Sequence, residues 1–155
     1  MIASRALGFL SLLFVSSCAH AALAPAERAL VDWVEGKRED MISLLEKAVK
    51  VSSPSEDLVG VRAMHEVFAA ELKAIGLTPT WVPLPAGSKR AGHLFAERTG
   101  SRGKRLLLIG HLDTVLRGGT FTRDGNIGRG SGTSDMKGGD VVLIVSPHHP
   151  QSPMP

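Results

Sequence analysis

A continuous apolar run at residues 105–110 (RLLLIG) constrains the fold of this 155-residue chain more than any other feature. A strand that is apolar on both faces is usually buried on both, which places it at the centre of a parallel or mixed sheet covered by helices. Two segments with helical periodicity and then two short strand-like segments precede the run. This order predicts an α/β fold in which helices flank a mixed sheet.

Apolar spacing and local start and stop signals define the two helices. Residues 26–50 place apolar side chains close to one stripe, and Gly36 marks a weak point within it. The sequence SPSE at residues 53–56 matches a capping box, so a second helix is predicted over residues 56–75, with Gly76 at its end. The predicted buried face of this second helix consists of apolar residues at helical spacing: Leu58, Val61, Phe68, Leu72 and Ile75.

The strand-like segments are residues 80–84 and 93–98. Pro83 has no amide hydrogen to donate to a strand ladder, which assigns the first segment to a sheet edge. Together with the apolar run, they predict one edge strand, one further strand and one central strand.

Composition excludes several classes of protein. With 43% hydrophobic residues, the chain is long enough for one domain with a core. The 18 Lys and Arg residues are scattered and aromatic residues make up only 5%, so no basic stripe is present and we expect no nucleic-acid partner. The one cysteine, Cys18, excludes an internal disulfide framework and a multi-cysteine zinc site.

Residues 1–21 have the features of a signal peptide. The nine apolar residues 7–15 are too few for a membrane span, which needs about 20. Residues 19–21 (AHA) have the small-x-small pattern after which signal peptidase cleaves. The alternative is a bacterial lipobox at residues 15–18 (VSSC), in which Cys18 would carry a lipid and tether the protein to a membrane. The first alternative predicts a periplasmic or secreted protein, and the second predicts a lipid-anchored one.

The apolar run leads directly into GHLDTV at residues 110–115. In open α/β sheets, ligands bind beyond the carboxyl ends of the strands. His111 and Asp113 are two residues apart, so in extended backbone both side chains point to the same side. This spacing suits a metal-binding imidazole beside a carboxylate that orients a neighbouring group. An ordinary surface turn after a strand explains the same spacing equally well.

A second segment, GRGSGTSDMKGG at residues 128–139, surrounds Asp135 with glycines. Glycine allows positive φ angles and a close approach of the backbone to a ligand. Ordering so many glycines has a high entropic cost, which favours a loop that holds something. A flexible linker is the alternative interpretation.

Three familiar motifs fail on inspection. The dinucleotide fingerprint GxGxxG fails because Asp135 stands where the third glycine is needed, and the phosphate-binding loop GxxxxGK[ST] fails around Lys137. A helical HExxH zinc motif begins at His65 but has Ala69 in place of the second histidine. We therefore predict that His65 is an ordinary, partly exposed helix residue.

Taken together, LLLIGHLDTV and the downstream GRGSGTSDMKGG resemble the zinc-dependent exopeptidase family of glutamate carboxypeptidase, aminoacylase and acetylornithine deacetylase (metallopeptidase family 20). The resemblance covers residues 39–145. It implies a catalytic α/β domain with a mixed sheet, interrupted in the family by a smaller dimerisation domain, and members are often homodimers. It also implies two zinc ions per site, with His111 and Asp135 as metal ligands, Asp135 bridging the ions, and Asp113 as the catalytic carboxylate that orients the site. The peptide bond after Asp135 is often cis in the family.

The implied activity is metal-dependent hydrolysis of the amide bond of a carboxy-terminal or N-acylated amino acid, most similar to a periplasmic glutamate carboxypeptidase. The alternatives are an N-acyl amino acid deacetylase or desuccinylase of the same family, and a non-enzymatic secreted binding fragment. The family's general-base glutamate, its later ligands and its dimerisation domain have no counterpart in this sequence. We therefore expect residues 22–145 to be the amino-terminal part of a catalytic domain, truncated before the dimerisation domain and inactive alone. Four prolines among the last nine residues predict a disordered tail over residues 146–155.

Overall fold

The structure is a computed structural model that describes residues 23–99, 104 and 106–146. The described residues form a mixed α/β arrangement of four α-helices and two small antiparallel sheets. In chain order, the elements are α1 (Pro25–Gly36), α2 (Arg38–Lys50), α3 (Leu58–Ala74), β1 (Thr78–Pro83), β2 (Gly92–Glu97), β3 (Thr122–Asp124), β4 (Ile127–Arg129) and α4 (Gly138–Val145), the last preceded by a kinked turn (Thr133–Lys137) in which Asp135 and Met136 are not helical. Within these residues, no helix has both the length and the apolar character needed to cross a membrane.

The helix predicted over residues 26–50 is confirmed, including its break. Lys37 separates α1 from α2, directly after Gly36. In α2, Glu39 and Asp40 lie in the first turn and Lys47 and Lys50 in the last, so both helix ends carry charges that complement the helix dipole. Helix α1 has no buried residue. The buried residues of α2 lie on one face and are Leu44, Ala48 and Val49.

The start of α3 differs from the predicted capping box. Asp57 is the N-cap, because its carboxylate accepts a hydrogen bond of 2.9 Å from the amide of Gly60. The helix therefore begins at Leu58, two residues later than predicted, and it is followed by Gly76 in the left-handed region at φ 80°. Asp supplies the same capping oxygen as Ser and is equally favoured at this position, so the sequence contained two competing start signals.

The buried face of α3 is rotated relative to the prediction. Val61 and Phe68 are buried as expected, but Leu58 is 46% exposed. His65 was predicted to be partly exposed and is in fact buried at 7% exposure. The reason is the neighbouring strand, since the indole ring of Trp81 in β1 lies 4.5 Å from the imidazole of His65, centroid to centroid.

Both predicted short strands are present, and they pair with each other. β1 and β2 run antiparallel, with Thr80 opposite Phe95. The second small sheet is the hairpin of β3 and β4, which is attached to α2 by a bidentate ion pair between Arg123 and Glu39 at 2.7 and 2.9 Å. The guanidinium of Arg123 lowers the pKa of the Glu39 carboxyl below its ordinary value.

The predicted central strand is not formed. Arg105 lies outside the described residues, and residues 106–110 belong to no strand in the part of the chain that is described. The side chains of Leu106, Leu107, Leu108 and Ile109 are 58 to 82% exposed. A strand needs a neighbour for its backbone hydrogen bonds, and the described strands pair only within their own two sheets. The predicted mixed sheet is therefore wrong for the described residues; residues 106–109 are hereafter called the exposed apolar segment.

The core lies where α2, α3 and α4 meet. Burial of apolar surface contributes about 25 cal/mol per Å², so this cluster stabilises the packing of the three helices. Its buried members come from all three helices: Leu44, Ala48, Met64, Phe68, Val141 and Ile144. The site described next is built around the carboxyl end of α2 and the start of α4, so it rests directly on this core.

Three expectations concern residues that are not described. The predicted signal peptide at residues 1–21 and Cys18 lie outside the described residues, as does the predicted tail after Ser146. The division into domains and the localisation therefore stay predictions.

Candidate functional site

The loop that carries His111 and Asp113 is held against the residues that follow α2. The hydroxyl of Ser53 donates to the carbonyl of Leu112 at 2.9 Å. The amide of Thr114 donates to the carbonyl of Ser53 at 2.9 Å, and the amide of Ser55 donates to the carbonyl of Thr114 at 3.1 Å. These bonds form an isolated parallel bridge around Pro54, which fixes the loop in place without a full strand.

The segment that carries Asp135 is held from the same side. The Lys137 side chain is fully buried, and its Nζ donates to the carbonyl of Ala48 at 3.0 Å and to that of Val51 at 2.7 Å. The amide of Lys137 donates to the carbonyl of Gly132 at 2.8 Å, which closes a turn around Asp135. Ala48, Val51 and Ser53 all belong to residues 48–53, hereafter called the α2 end segment.

These two attachments bring His111 and Asp135 together. The Nε2 atom of His111 lies 2.9 Å from Oδ1 of Asp135, although the two residues are 24 apart in the chain. Their side chains are 41% and 80% exposed, so the pair lies at the surface and is open to solvent. The peptide bond between Asp135 and Met136 is cis, as the resemblance implied.

Asp113 fixes the other nitrogen of the same imidazole. His111 Nδ1 lies 2.9 Å from the carbonyl oxygen of Asp113 and 3.3 Å from its Oδ1. A carbonyl oxygen only accepts hydrogen bonds, so Nδ1 carries the hydrogen and donates it. The three residues predicted from the sequence therefore lie together, with Asp113 and Asp135 on opposite nitrogens of one ring.

The two aspartates favour the cationic imidazole. Burial lowers the pKa of His111, but the hydrogen bond to Asp135 and the contacts with Asp113 raise it more, and the net pKa lies above its ordinary value. With protons on both nitrogens, the ring donates to the Asp113 carbonyl and to the Asp135 carboxylate at once. A divalent cation at Nε2 would replace one of these protons, because a metal-binding imidazole is neutral.

Asp140 is a site residue that the sequence reasoning missed. It is only 6% exposed, and a Cβ atom at Gly110 would collide with its carboxylate. Burial raises the pKa of Asp140 to about 6, although the His111 imidazole and backbone amide and the Lys137 ammonium partly oppose this. Its Oδ2 has no hydrogen-bond partner among the described residues. In the sequence, Asp140 is simply an acidic residue in the first turn of a helix, and its approach to Gly110 is a tertiary contact.

Lys137 is a second residue that the sequence did not single out. Burial lowers the pKa of its ammonium, and the nearby Asp140 carboxylate opposes this. Nothing in the motif GTSDMKGG shows that the lysine side chain turns inward to helix α2. The position of this side chain depends on tertiary contacts, because the hydrogen-bond partners of Lys137 lie 86 and 89 residues away in the chain.

The donor set fits part of a zinc site. Imidazole nitrogen and carboxylate oxygen are ordinary zinc ligands at about 2.0–2.2 Å, and two donors 2.9 Å apart can both reach one ion at that distance. Catalytic zinc sites use three protein ligands and structural sites four. Among the described residues, no group of three or more His, Cys, Asp or Glu side chains is arranged to hold a metal. The described residues therefore fit two positions of a zinc coordination sphere and do not complete it.

Comparison with known proteins finds a partial similarity to a carboxypeptidase. Carboxypeptidase G2 of Pseudomonas sp. (strain RS-16) is 33% identical to this chain over 114 residues. This chain is its distant partial homologue. The alignment covers 67% of this chain and 26% of the carboxypeptidase, so the chain spans about a quarter of that relative's length. No protein-family profile matches the chain.

Proposed function

We propose that this chain supplies one part of the active site of a zinc-dependent, carboxypeptidase-like hydrolase. The observation that carries the proposal is the 2.9 Å approach of His111 Nε2 to Asp135 Oδ1. The partial homology to Carboxypeptidase G2 supports hydrolysis of a peptide at its carboxyl end over the deacetylase and binding-fragment alternatives. The substrate class is a peptide or N-acyl amino acid with a free carboxylate.

The chain's own residues orient and charge this site. The carbonyl of Asp113 accepts the Nδ1 hydrogen of His111, which fixes the ring angle and leaves Nε2 facing Asp135 Oδ1, and these two atoms would hold a zinc ion. The side chain of Asp135 is 80% exposed, so its second carboxylate oxygen would be accessible for the bridging role that the resemblance implies. A zinc ion bound there would lower the pKa of a water molecule and polarise the scissile carbonyl.

We further propose that the 155-residue chain is inactive alone. Within the described part, no glutamate side chain hydrogen bonds to His111, Asp113 or Asp135, so the glutamate general base that the resemblance implies is not among the described contacts of this site. Two donors would also leave a zinc coordination sphere incomplete, because a catalytic zinc site uses three protein ligands. The site therefore needs ligands and a base beyond those it brings together here.

Metal titration tests the proposed site. Zn²⁺ titrated calorimetrically into the chain should give saturable binding that His111→Ala and Asp135→Asn each weaken by at least about 10-fold, since each removes one of two ligands. His93→Ala is the matched control, because His93 is an exposed histidine of β2 outside the site. Zn²⁺ binding that survives both site substitutions, or that His93→Ala abolishes, contradicts the proposal.

An activity assay tests the proposed inactivity separately. The purified chain with Zn²⁺ is incubated with glutamate-terminated peptides and with N-acyl amino acids, and the release of free amino acid is measured. We expect no turnover above that of the Asp135→Asn variant. Turnover that depends on Asp135 would show that the chain is a complete catalyst and would reject the proposed inactivity.

We also propose that the protein is exported, on the basis of residues 1–21 alone. Cell fractionation and mass analysis of the mature amino terminus distinguish the two forms of processing. Cleavage after Ala21 gives a periplasmic or secreted protein, and a lipid on Cys18 gives a membrane-tethered one. An intact amino terminus in the cytoplasm contradicts both.

A further inference from the structure

A buried lysine lies two residues after the candidate ligand Asp135, and the proposed chemistry gives it no task. Lys137 Nζ donates hydrogen bonds to the carbonyls of Ala48 and Val51 at 3.0 and 2.7 Å. The last carbonyls of a helix have no partner within the helix, and a cation there also interacts favourably with the helix dipole. Because an uncompensated buried ammonium is costly, these two carbonyls determine where the lysine side chain lies.

The lysine stem fixes the turn that contains Asp135. Gly132 is in the left-handed region at φ 80°, and a Cβ atom there would lie 3.1 Å from Lys137 Cδ. The backbone bond from the Lys137 amide to the Gly132 carbonyl closes the turn on itself. Asp135 lies inside this closed turn, so the position of the turn determines the position of its carboxylate.

The opposite member of the pair is attached to the same place. Ser53 bonds to the backbone of Leu112 and of Thr114, on either side of Asp113, and so positions the loop of His111. Both loops are therefore attached to the α2 end segment by hydrogen bonds, the loop of Asp135 through Lys137 and the loop of His111 through Ser53. Without the Lys137 bonds, the turn of Asp135 would lose its side-chain link to this segment.

We propose that Lys137 is a positioning residue that holds the Asp135 carboxylate within reach of His111 by attaching its turn to the α2 end segment. This inference rests on the proposed function in so far as the His111–Asp135 pair binds a metal ion. Because the Lys137 side chain is fully buried and its Nζ is hydrogen-bonded to backbone carbonyls, we assign it no direct contact with the ion or the substrate.

The test compares Lys137→Met with Lys50→Met. Methionine keeps the length and apolar stem of lysine and removes the ammonium. Lys50 lies at the same end of α2 but is exposed and pairs with Glu46 at the surface, so its substitution removes an equal charge from the same region. Co²⁺ affinity is measured by titration of its visible absorption, and the His111 ring nitrogens are followed by NMR in the metal-free protein.

We expect Lys137→Met to weaken Co²⁺ binding by about 10- to 100-fold, the range for loss of a group that orients a metal ligand. We also expect it to change the Nε2 signal of His111 to that of a ring without the Asp135 hydrogen bond. Lys50→Met should change neither. If Lys137→Met does not melt cooperatively, Lys137→Gln, which keeps a shorter hydrogen-bond donor, replaces it in the same comparison.

A folded Lys137 variant with wild-type Co²⁺ affinity and a wild-type His111 signal overturns the inference. If the wild-type chain binds no Co²⁺ but the His111 signal still changes on substitution of Lys137, the metal proposal fails and the positioning role stands. If Co²⁺ binds and its affinity depends on His111 but not on Lys137, the metal proposal stands and the positioning role of Lys137 fails.

Discussion

The buried carboxyl of Asp140 predicts an unusual dependence of stability on pH. Its pKa is raised from 3.8 to about 6 by burial, so the folded protein holds the proton more tightly than the unfolded chain. Below pH 3.8 both states are protonated and Asp140 imposes no penalty. As the pH rises from there to about 6, the unfolded state ionises first, and the free energy of unfolding falls. Above that range the penalty is constant.

The structure gives the size of this effect. A shift of about 2 pKa units corresponds to about 3 kcal/mol, at 1.36 kcal/mol per unit. Asp140→Asn cannot ionise, so the wild-type chain should lose up to about 3 kcal/mol relative to this variant between pH 4 and pH 7. Taking the difference between the two proteins cancels the titration of shared groups that do not interact with Asp140.

Urea denaturation at a series of pH values measures this difference. The experiment is followed by circular dichroism with EDTA present, so that metal binding makes no contribution. Asp124→Asn serves as the matched control, because it removes one negative charge from an exposed residue of β3. A wild-type minus Asp140→Asn difference that is the same at pH 4 and pH 7 would refute the argument that burial dominates at Asp140.

Three further outcomes are expected. Phe68→Ala should lower the free energy of unfolding by about 3–5 kcal/mol in urea denaturation, since Phe68 is 2% exposed; an equal loss in Phe95→Ala, at 54% exposure, would argue against it. Gly132→Ala should cost about 1–2 kcal/mol in the same assay, because φ is 80° there; an unchanged midpoint would show that the turn tolerates a side chain. Leu107→Lys should reduce aggregation measured by light scattering, because it interrupts the exposed apolar segment; an equal reduction by Val59→Lys, an exposed position on α3, would show a general charge effect.

Local signals in the sequence located α1, α2, α3, β1 and β2, but the sequence analysis did not predict β3, β4 or α4. The break after Gly36 and the end of α3 shortly before Gly76 follow from backbone properties of glycine that need no tertiary information. The start of α3 was misplaced because Ser53 and Asp57 are both good caps, and only the tertiary structure decides between them. The burial of His65 could not be read from its own helix, since Trp81 of another element covers it.

The central strand shows where sequence patterns stop being sufficient. Residues 105–110 have the composition of a buried strand, but strand formation depends on a hydrogen-bonding neighbour elsewhere in the fold. The described part of the chain supplies none, and the exposed apolar segment results. The pattern correctly describes what these residues can do, and it says nothing about whether a partner is present.

The residues of the candidate site were likewise only partly predictable from the sequence. His111, Asp113 and Asp135 were found because their motifs are short and local, and the structure places a carboxylate oxygen of each aspartate within 3.3 Å of the His111 ring. Lys137 and Asp140 were missed because their contacts join distant parts of the chain.

The shared α2 end segment has a mechanical consequence for the pair of donors. When two groups are mounted on one rigid support, a displacement of the support moves both by the same vector and leaves the gap between them unchanged. Thermal movement of α2 should therefore shift His111 and Asp135 in concert, and only distortions that separate Lys137 from Ser53 should alter their spacing. The variation in the distance between His111 and Asp135 is thus determined by the six residues of the α2 end segment rather than by the helix as a whole.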